Sequence, residues 1–162
     1  MTHNLSVAIV GCGRISDLHA RAYLEHPDAA ITAICDPDES SLRQRGDAWG
    51  VAPGRRFTHL DDLLAAEGID MVDVLVPHHL HEEAAVKVVS SGRHLSLQKP
   101  MTLSLSAADR VIDAADRAAV TMKVFENFVF YPPVVLAKQL IDAGEIGDVL
   151  SVRLKSHSGY CP

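Results

Sequence analysis

The sequence predicts an α/β fold, a doubly wound parallel sheet with helices on both faces. Three observations predict it. Short apolar runs alternate with longer amphipathic segments, the apolar runs are nearly continuous, and two glycines follow the first run. Parallel strands need long connections, which helices supply, and strands covered on both faces are apolar throughout. We therefore expect about six parallel strands over residues 4–126.

The predicted strands are the short apolar runs. They cover Leu5–Val10, Ala30–Cys35, Arg55–Thr58, Met71–Pro77, Arg93–Leu97 and Val120–Glu126. The amphipathic segments between them predict helices over Arg14–His26, after Asp36-Pro37, and over Leu60–Gly68, His81–Gly92 and Ser104–Ala119.

Local signals add detail to three of these helices. Pro37 suits the first position of the second helix, and Ser104 or Ser106 suits the cap of the last. The first helix is expected to group four apolar side chains on one side, namely Ile15, Leu18, Ala22 and Tyr23.

The pattern changes after residue 126. An amphipathic helix with Val135, Leu136 and Leu140 at helical spacing is predicted to end at Gly144. Val149–Gly159 alternates as a half-buried strand does. We therefore expect a dinucleotide-binding domain over residues 1–126. Residues 127–162 are expected to form a junction helix and the first strand of a truncated second α/β domain.

Composition excludes several classes of function. The net charge of -6 disfavours nucleic acid, whose phosphates need a basic surface. No apolar run approaches the roughly 18 residues that span a bilayer, and we expect no membrane partner. Three widely spaced cysteines, Cys12, Cys35 and Cys161, fit a reducing, cytoplasmic location rather than a disulfide framework.

The glycine pair lies where a dinucleotide fold binds phosphate. Gly11 permits the sharp turn after the first strand, Gly13 lets a pyrophosphate approach the backbone, and Ser16 stands where a third glycine is usual. A plain strand-to-helix turn is the alternative. An S-adenosylmethionine-binding methyltransferase is another, although no acidic residue precedes Gly11 in this sequence.

Asp36 ends the second strand, where an acidic residue binds the hydroxyls of the adenosine ribose. The alternative is that Asp36 only caps the helix opened by Pro37. Asp38 and Glu39 follow, so a 2′-phosphate would be repelled, and NAD is expected rather than NADP. His78, His79 and His81 cluster after the fourth strand, but no further ligand accompanies them, and no metal is expected.

Three longer motifs carry a family resemblance. They are GCGRISDLHARAY, VDVLVPHHLHEEAAVKVVSSGRHLSLQKPMTLS and ENFVFYPPVVLAKQLIDAGEIGDVLSVRL, in that order. The chain resembles the glucose-fructose oxidoreductase / inositol dehydrogenase / MocA family of NAD(P)-dependent dehydrogenases. That resemblance implies a Rossmann-like domain and hydride transfer from a secondary alcohol of a sugar or polyol to a nicotinamide.

The resemblance also implies roles for individual residues. Lys99, of the Lys-Pro motif, would be the catalytic lysine. The cofactor-binding residues would be Gly11, Gly13, Arg14, Ile15, Asp36, Val76, Pro77, His78, His81, Gln98 and Asn127. Two positions depart from the family pattern: Gln98 replaces a glutamate, and Val129 replaces an arginine.

The resemblance further implies a second domain that supplies a base and the substrate surface. The chain is accordingly expected to bind NAD with negligible turnover alone, and to form homo-oligomers through its C-terminal region. A non-catalytic module that binds NAD or completes a partner remains the alternative function.

Overall fold

The structure, a computed structural model, describes residues 4–153 and residue 155. Its strands are β1 (Leu5–Val10), β2 (Ala29–Cys35), β3 (Arg56–Phe57), β4 (Met71–Val74), β5 (His94–Gln98) and β6 (Met122–Phe125). Its α-helices are α1 (Ser16–Glu25), α2 (Glu39–Ala48), α3 (Leu60–Ala65), α4 (His81–Ser90), α5 (Leu105–Ala118) and α6 (Pro132–Asp142). Short 3₁₀ helices cover Pro53–Arg55, His78–Leu80 and Asn127–Phe130.

The six strands form one parallel sheet in the order β3-β2-β1-β4-β5-β6. From β1 the chain first builds outward through β2 and β3, then returns to add β4 on the other side of β1. The direction of winding therefore reverses between β1 and β4. This doubly wound order confirms the predicted fold class, and the reversal is where such folds bind ligands.

Each face of the sheet buries its own apolar cluster. Ala8 and Val10 of β1 pack with Val88 of α4 and Val111 of α5, whereas Ile9 packs with side chains near α1 and α2. Successive residues of a strand point to opposite faces, so the β1 side chains that point to each of the two faces must be apolar. Burial on both faces explains the continuous apolar runs of the sequence.

The first helix buries a different side from the one expected. Leu18 is 69% exposed and Ala22 is exposed, whereas Ser16 and Ala20 are buried. Ile15 and Tyr23 do pack against the core, as predicted. Small side chains at 16 and 20 let the start of α1 approach the sheet closely, which is what the third glycine of the motif allows in other dinucleotide folds.

Two further expectations differ from the structure. The second helix begins at Glu39 with Asp38 as its N-cap, not at Pro37. The expected strand Val149–Gly159 is wrong for residues 149–153 and 155, which form no strand; its other residues lie outside the described part of the chain. A strand needs a neighbour for its backbone hydrogen bonds, and no strand follows β6 in the part of the chain that the structure describes.

The chain divides into two compact units, Met1–Phe125 and Glu126–Pro162. The first holds the whole sheet and helices α1 to α5. In the second, the 3₁₀ helix Asn127–Phe130 leads into α6, and the rings of Phe128 and Tyr131 meet edge to face at 6.5 Å. Among the described residues, no helix combines the length and the apolar character needed to cross a membrane.

Candidate functional site

A cavity of about 990 Å³ lies in the first unit, at the carboxyl ends of β1, β2, β4 and β5. These ends flank the point where the winding reverses, so the cavity occupies the ligand position of a doubly wound sheet. Ten of the predicted site residues line it: Gly11, Gly13, Arg14, Ile15, Asp36, Val76, Pro77, His78, Gln98 and Lys99.

The glycine turn (residues 11–15) forms the middle of the cavity wall. Gly11 has φ +97°, and a Cβ there would lie 2.8 Å from the backbone C and O atoms of Leu75. Its N–H donates to the Cys35 carbonyl oxygen at 2.8 Å. Gly11 is thus required by backbone conformation and by close packing between β1 and the end of β4. A Cβ on Gly13 would meet no atom within 4 Å, so Gly13 leaves open space instead.

Ser16 completes the turn in place of a third glycine. Its hydroxyl is buried and donates to the Gly13 carbonyl oxygen at 2.5 Å. Within residues 4–153, the N–H groups of Gly13, Arg14 and Ile15 make no hydrogen bond. Free N–H groups at the start of a helix, beside open space, can bind phosphate.

Asp36 is linked to the glycine turn. One carboxylate oxygen accepts the Cys12 N–H at 2.7 Å, and the other accepts the Asp38 N–H at 2.9 Å. Asp38, rather than Asp36, caps α2, since its side chain accepts the N–H groups of Ser40 and Ser41. Hydrogen bonds from the hydroxyls of Ser41 and Ser40, followed by those from the two backbone N–H groups, lower the pKa of Asp38 to about 2, so it stays ionised. The idea that Asp36 serves only as a helix cap is therefore wrong.

The opposite end of the cavity holds Lys99, directly after β5. The Lys99 side chain is exposed, and its backbone N–H donates to Oε1 of Gln98 at 2.8 Å. The other end of the Gln98 amide, Nε2, lies 3.1 Å from Nε2 of His19. Gln98 therefore lines the cavity while both ends of its amide contact protein.

Comparison with known proteins identifies the family. Residues 5–126 match the family model GFO_IDH_MocA, described as an oxidoreductase family with an NAD-binding Rossmann fold. This chain belongs to that family. The family resemblance and the nicotinamide dinucleotide expected from the sequence are both confirmed at this level, and the methyltransferase alternative is overturned.

Two of the curated relatives that this chain resembles are dehydrogenases. A D-apiose dehydrogenase of Paraburkholderia graminis is 31% identical over 94% of this chain and 40% of its own length. A scyllo-inositol 2-dehydrogenase (NAD(+)) of Bacillus subtilis is 28% identical over 91% of this chain and 43% of its own. The chain thus spans less than half the length of these curated relatives.

Solved structures share the fold. The WlbA dehydrogenase from Bordetella pertussis, in complex with NADH and UDP-GlcNAcA, superposes with a TM-score of 0.84. It is 31% identical and matches 90% of this chain and 44% of its own.

Two predicted site residues of this family member lie outside the cavity wall. His81 is fully buried beneath it, with its ring nitrogens 2.7 Å from the Pro100 carbonyl oxygen and 3.0 Å from that of Val76. Its hydrogen-bonding distances are thus to backbone carbonyl oxygens, and its ring also meets that of His78 edge to face at 5.4 Å. Asn127 belongs to the second unit, where it starts a 3₁₀ helix, and its contact with cofactor stays a prediction.

Sequence reasoning missed part of the cavity wall. Thr58 and His59 follow the two-residue strand β3, and Glu83 and Lys87 come from α4. The position of Thr58 just after a strand was an available signal, because the carboxyl ends of parallel strands share one edge. The charge of Lys87 is engaged by Asp61 at 3.0 Å and Glu83 at 3.3 Å.

The two thiols near the turn, those of Cys12 and Cys35, are buried. Burial, followed by the charge of Asp36, raises the pKa of Cys12 to about 12, and the same two causes raise that of Cys35 to about 12. Neither thiol supplies a nucleophile at neutral pH. Among the described residues, no three His, Cys, Asp or Glu side chains converge as metal ligands would.

Proposed function

We propose that this chain forms the dinucleotide-binding part of an NAD-dependent dehydrogenase acting on a secondary alcohol of a sugar or polyol. One observation supports this above the others. The glycine turn, Asp36 and Lys99 line the same cavity, at the reversal of a doubly wound sheet. In the strand order β2-β1-β4-β5, a ribose-binding acid, an anion-binding turn and a cation follow one another, which is the order that a dinucleotide and its substrate require.

The residues present fit the cofactor. Gly13 leaves space beside the free N–H groups of the turn, where a pyrophosphate can accept hydrogen bonds. Asp36 already accepts two backbone N–H groups, which fix its carboxylate, and its remaining lone pairs can accept the ribose hydroxyls. Val76, Pro77 and His78 would lie along the nicotinamide half.

Lys99 is the proposed catalytic residue. A bound nicotinamide supplies the hydride acceptor. The Lys99 ammonium has three N–H donors, and one of them can stabilise negative charge that develops on the substrate oxygen. The exposed position of Lys99 at the cavity leaves its ammonium available for that bond.

The charge near the ribose site favours NAD over NADP. Asp36 and Asp38 lie at the end of β2 and at the start of α2, and Glu39 is the first helical residue. The nearby cation Lys87 is already paired with Asp61 and Glu83. A 2′-phosphate would therefore meet negative charge with little compensation.

The remaining expectations stay proposals. We propose residues 1–126 as the dinucleotide-binding domain and residues 127–162 as the start of a second domain. We also propose a cytoplasmic location, which the free thiols of Cys12 and Cys35 support. A homo-oligomer through the C-terminal region is supported by exposed apolar side chains there, including Phe128, Leu136 and Leu140.

Titration of the purified chain with NADH tests the proposal. We expect quenching or shift of NADH fluorescence and a raised melting temperature, because a ligand that binds only the folded state stabilises it. NADPH should bind more weakly, and S-adenosylmethionine should have no effect. The absence of any response to NADH would contradict the proposed function.

A second measurement tests hydride transfer and the role of Lys99 in it. The chain is mixed with NAD⁺ and either D-apiose or scyllo-inositol, alone and with the remaining length of a relative supplied as a separate polypeptide, and NADH formation is followed. Activity that Lys99→Ala abolishes while NADH still binds would support the assigned role. Activity that survives Lys99→Ala unchanged would remove Lys99 from the catalytic list.

A further inference from the structure

A chain of hydrogen bonds runs from the backbone of Lys99 into the sheet. The Lys99 N–H donates to Oε1 of Gln98 at 2.8 Å, and Nε2 of Gln98 lies 3.1 Å from Nε2 of His19. Nδ1 of His19 lies 2.8 Å from a carboxylate oxygen of Asp73. Four residues from α1, β4, β5 and the loop after β5 are thereby joined.

The direction of every bond in this chain is determined. A backbone N–H can only donate, so the atom of Gln98 that faces Lys99 must be its oxygen. The amide nitrogen of Gln98 then faces His19 and donates, so Nε2 of His19 must accept. His19 is accordingly neutral, with its proton on Nδ1, from which it donates to Asp73.

His19 and its partner Asp73 are enclosed by other side chains. Asp73 is fully buried and the His19 side chain is 10% exposed. The hydroxyl of Tyr23 donates to the same Asp73 oxygen at 3.1 Å, and the ring of Phe125 lies 5.1 Å from that of His19. Within residues 4–153 and 155, the other oxygen of Asp73 has no hydrogen-bond partner.

Moving the proton of His19 would be costly. With the proton on Nε2, an N–H would face the N–H of Gln98, and a bare nitrogen would face the buried carboxylate of Asp73. Both bonds would be lost, and a buried charged group deprived of its donor costs free energy. The amide at position 98 and the carboxylate at 73 therefore select one tautomer together.

We infer that His19 and Gln98 are positioning residues for Lys99, and that the amide of Gln98 keeps His19 neutral. The inference rests on the proposed function of Lys99. Gln98 holds the backbone from which the lysine side chain extends into the cavity, and His19 holds Gln98. Among the described residues, the titratable group that contacts His19 is Asp73 from β4, and Tyr23 from the same helix as His19 donates to the same Asp73 oxygen.

The protonation state can be read directly by long-range ¹H–¹⁵N NMR of the histidine rings. In the wild-type chain we expect His19 to show two well-separated nitrogen shifts, with the proton on Nδ1. In Gln98→Glu, position 98 can no longer donate, so we expect His19 to take a second proton and its two nitrogen shifts to converge. The ring of His94, whose Nδ1 contacts the Thr121 N–H, serves as an internal control.

Hydrogen exchange tests the link to Lys99. Gln98→Leu removes the acceptor, so we expect the Lys99 amide to exchange at least tenfold faster, while the Leu97 amide in the same strand is unchanged. Equal acceleration at both amides would indicate general destabilisation. Because Lys99 is proposed to act on the substrate oxygen, we also expect Gln98→Leu to lower kcat for NADH formation in the reconstituted reaction about tenfold, while NADH still binds.

The outcomes separate the inference from the proposed function. A wild-type His19 that is doubly protonated, or that carries its proton on Nε2, overturns the inference whether or not NADH binds. A Lys99 amide that exchanges faster in Gln98→Leu with no change in kcat for NADH formation overturns the positioning role. A chain that shows the expected tautomer and exchange but binds no NADH contradicts the proposed function alone.

Discussion

The carboxylate of Asp36 accepts the backbone N–H of Cys12 at 2.7 Å. This bond joins the end of β2 to the glycine turn that follows β1. The position proposed for ribose binding and the position proposed for phosphate binding are thus held together before any ligand arrives. A preorganised site avoids the entropic cost of ordering its own groups on binding.

Replacement of Asp36 by asparagine should weaken NADH binding and lower the preference for NADH over NADPH. Asparagine has one acceptor oxygen, so it cannot accept both Cys12 and Asp38 as the carboxylate does, and its loss of charge removes a repulsion against a 2′-phosphate. We expect the Kd for NADH to rise about tenfold, as loss of a charge-assisted hydrogen bond implies. Fluorescence titrations with both dinucleotides measure the ratio of the Kd for NADPH to the Kd for NADH. An unchanged ratio would remove Asp36 from the ribose site.

Gly11→Ala should destabilise the fold. The added Cβ would lie 2.8 Å from backbone atoms of Leu75, and φ +97° is strained for alanine. Backbone atoms of a sheet move little, so we expect a loss of about 2 kcal/mol or more in the free energy of unfolding, measured by urea denaturation.

Gly13→Ala is the matched control for Gly11→Ala. Its Cβ would meet no protein atom within 4 Å, so we expect the free energy of unfolding to change little. The same Cβ would enter the space beside the free N–H groups, so the affinity for NADH should fall. The opposite pattern, with stability lost at Gly13 and binding retained, would place the phosphate elsewhere.

The thiols of Cys12 and Cys35 should resist alkylation in the folded chain. With pKa values of about 12, only roughly one thiol in ten thousand is ionised at pH 8. A Cys161→Ser background leaves these two thiols alone, and mass spectrometry follows their reaction with iodoacetamide. We expect both to react only after denaturant is added, and alkylation at equal rates in folded and unfolded chains would contradict their burial.

The same shifts predict how stability depends on high pH. The folded thiols keep their protons up to about 12, whereas the unfolded thiols lose theirs near 9.0. The unfolded state then binds fewer protons than the folded state. The contribution of the two thiols to the free energy of unfolding is therefore complete below about pH 9 and is lost as the pH rises toward 12. A variant with alanine at both positions should show a shallower decline over that range. An equally steep decline would assign the loss to other groups.

The sequence allowed prediction of the fold and of ten of the residues that line the cavity, because both depend on local patterns. Continuous apolar runs marked the strands, and glycine marked the turn. The contact between His19 and Gln98 was not predictable, because it joins residues 79 positions apart. Asp73 lies inside an apolar strand, and nothing in the sequence indicated which side chains would hydrogen-bond to its carboxylate. The buried side of α1 was mispredicted at Leu18, since close packing against the sheet selects small residues over apolar ones.

Gly46→Ala tests how helix preference competes with packing. Gly46 lies in the interior of α2, where alanine is favoured over glycine by about 1 kcal/mol. A Cβ there would collide with the Arg56 guanidinium, which donates to the Val51 carbonyl oxygen at 2.9 and 2.6 Å and pairs with Asp47 at 2.8 Å. Hydrogen bonds from a charged group contribute about 1.5–3 kcal/mol, so their loss should exceed the gain.

We therefore expect Gly46→Ala to lower the free energy of unfolding by about 1 kcal/mol in the wild-type chain. In an Arg56→Ala background the collision is absent, and the same change should raise it by about 1 kcal/mol. Urea denaturation of the four proteins completes a double-mutant cycle, which isolates the interaction between the two positions. If Gly46→Ala stabilises both backgrounds equally, the guanidinium can move aside at no cost, and its bonds to Val51 do not contribute to the attachment of β3.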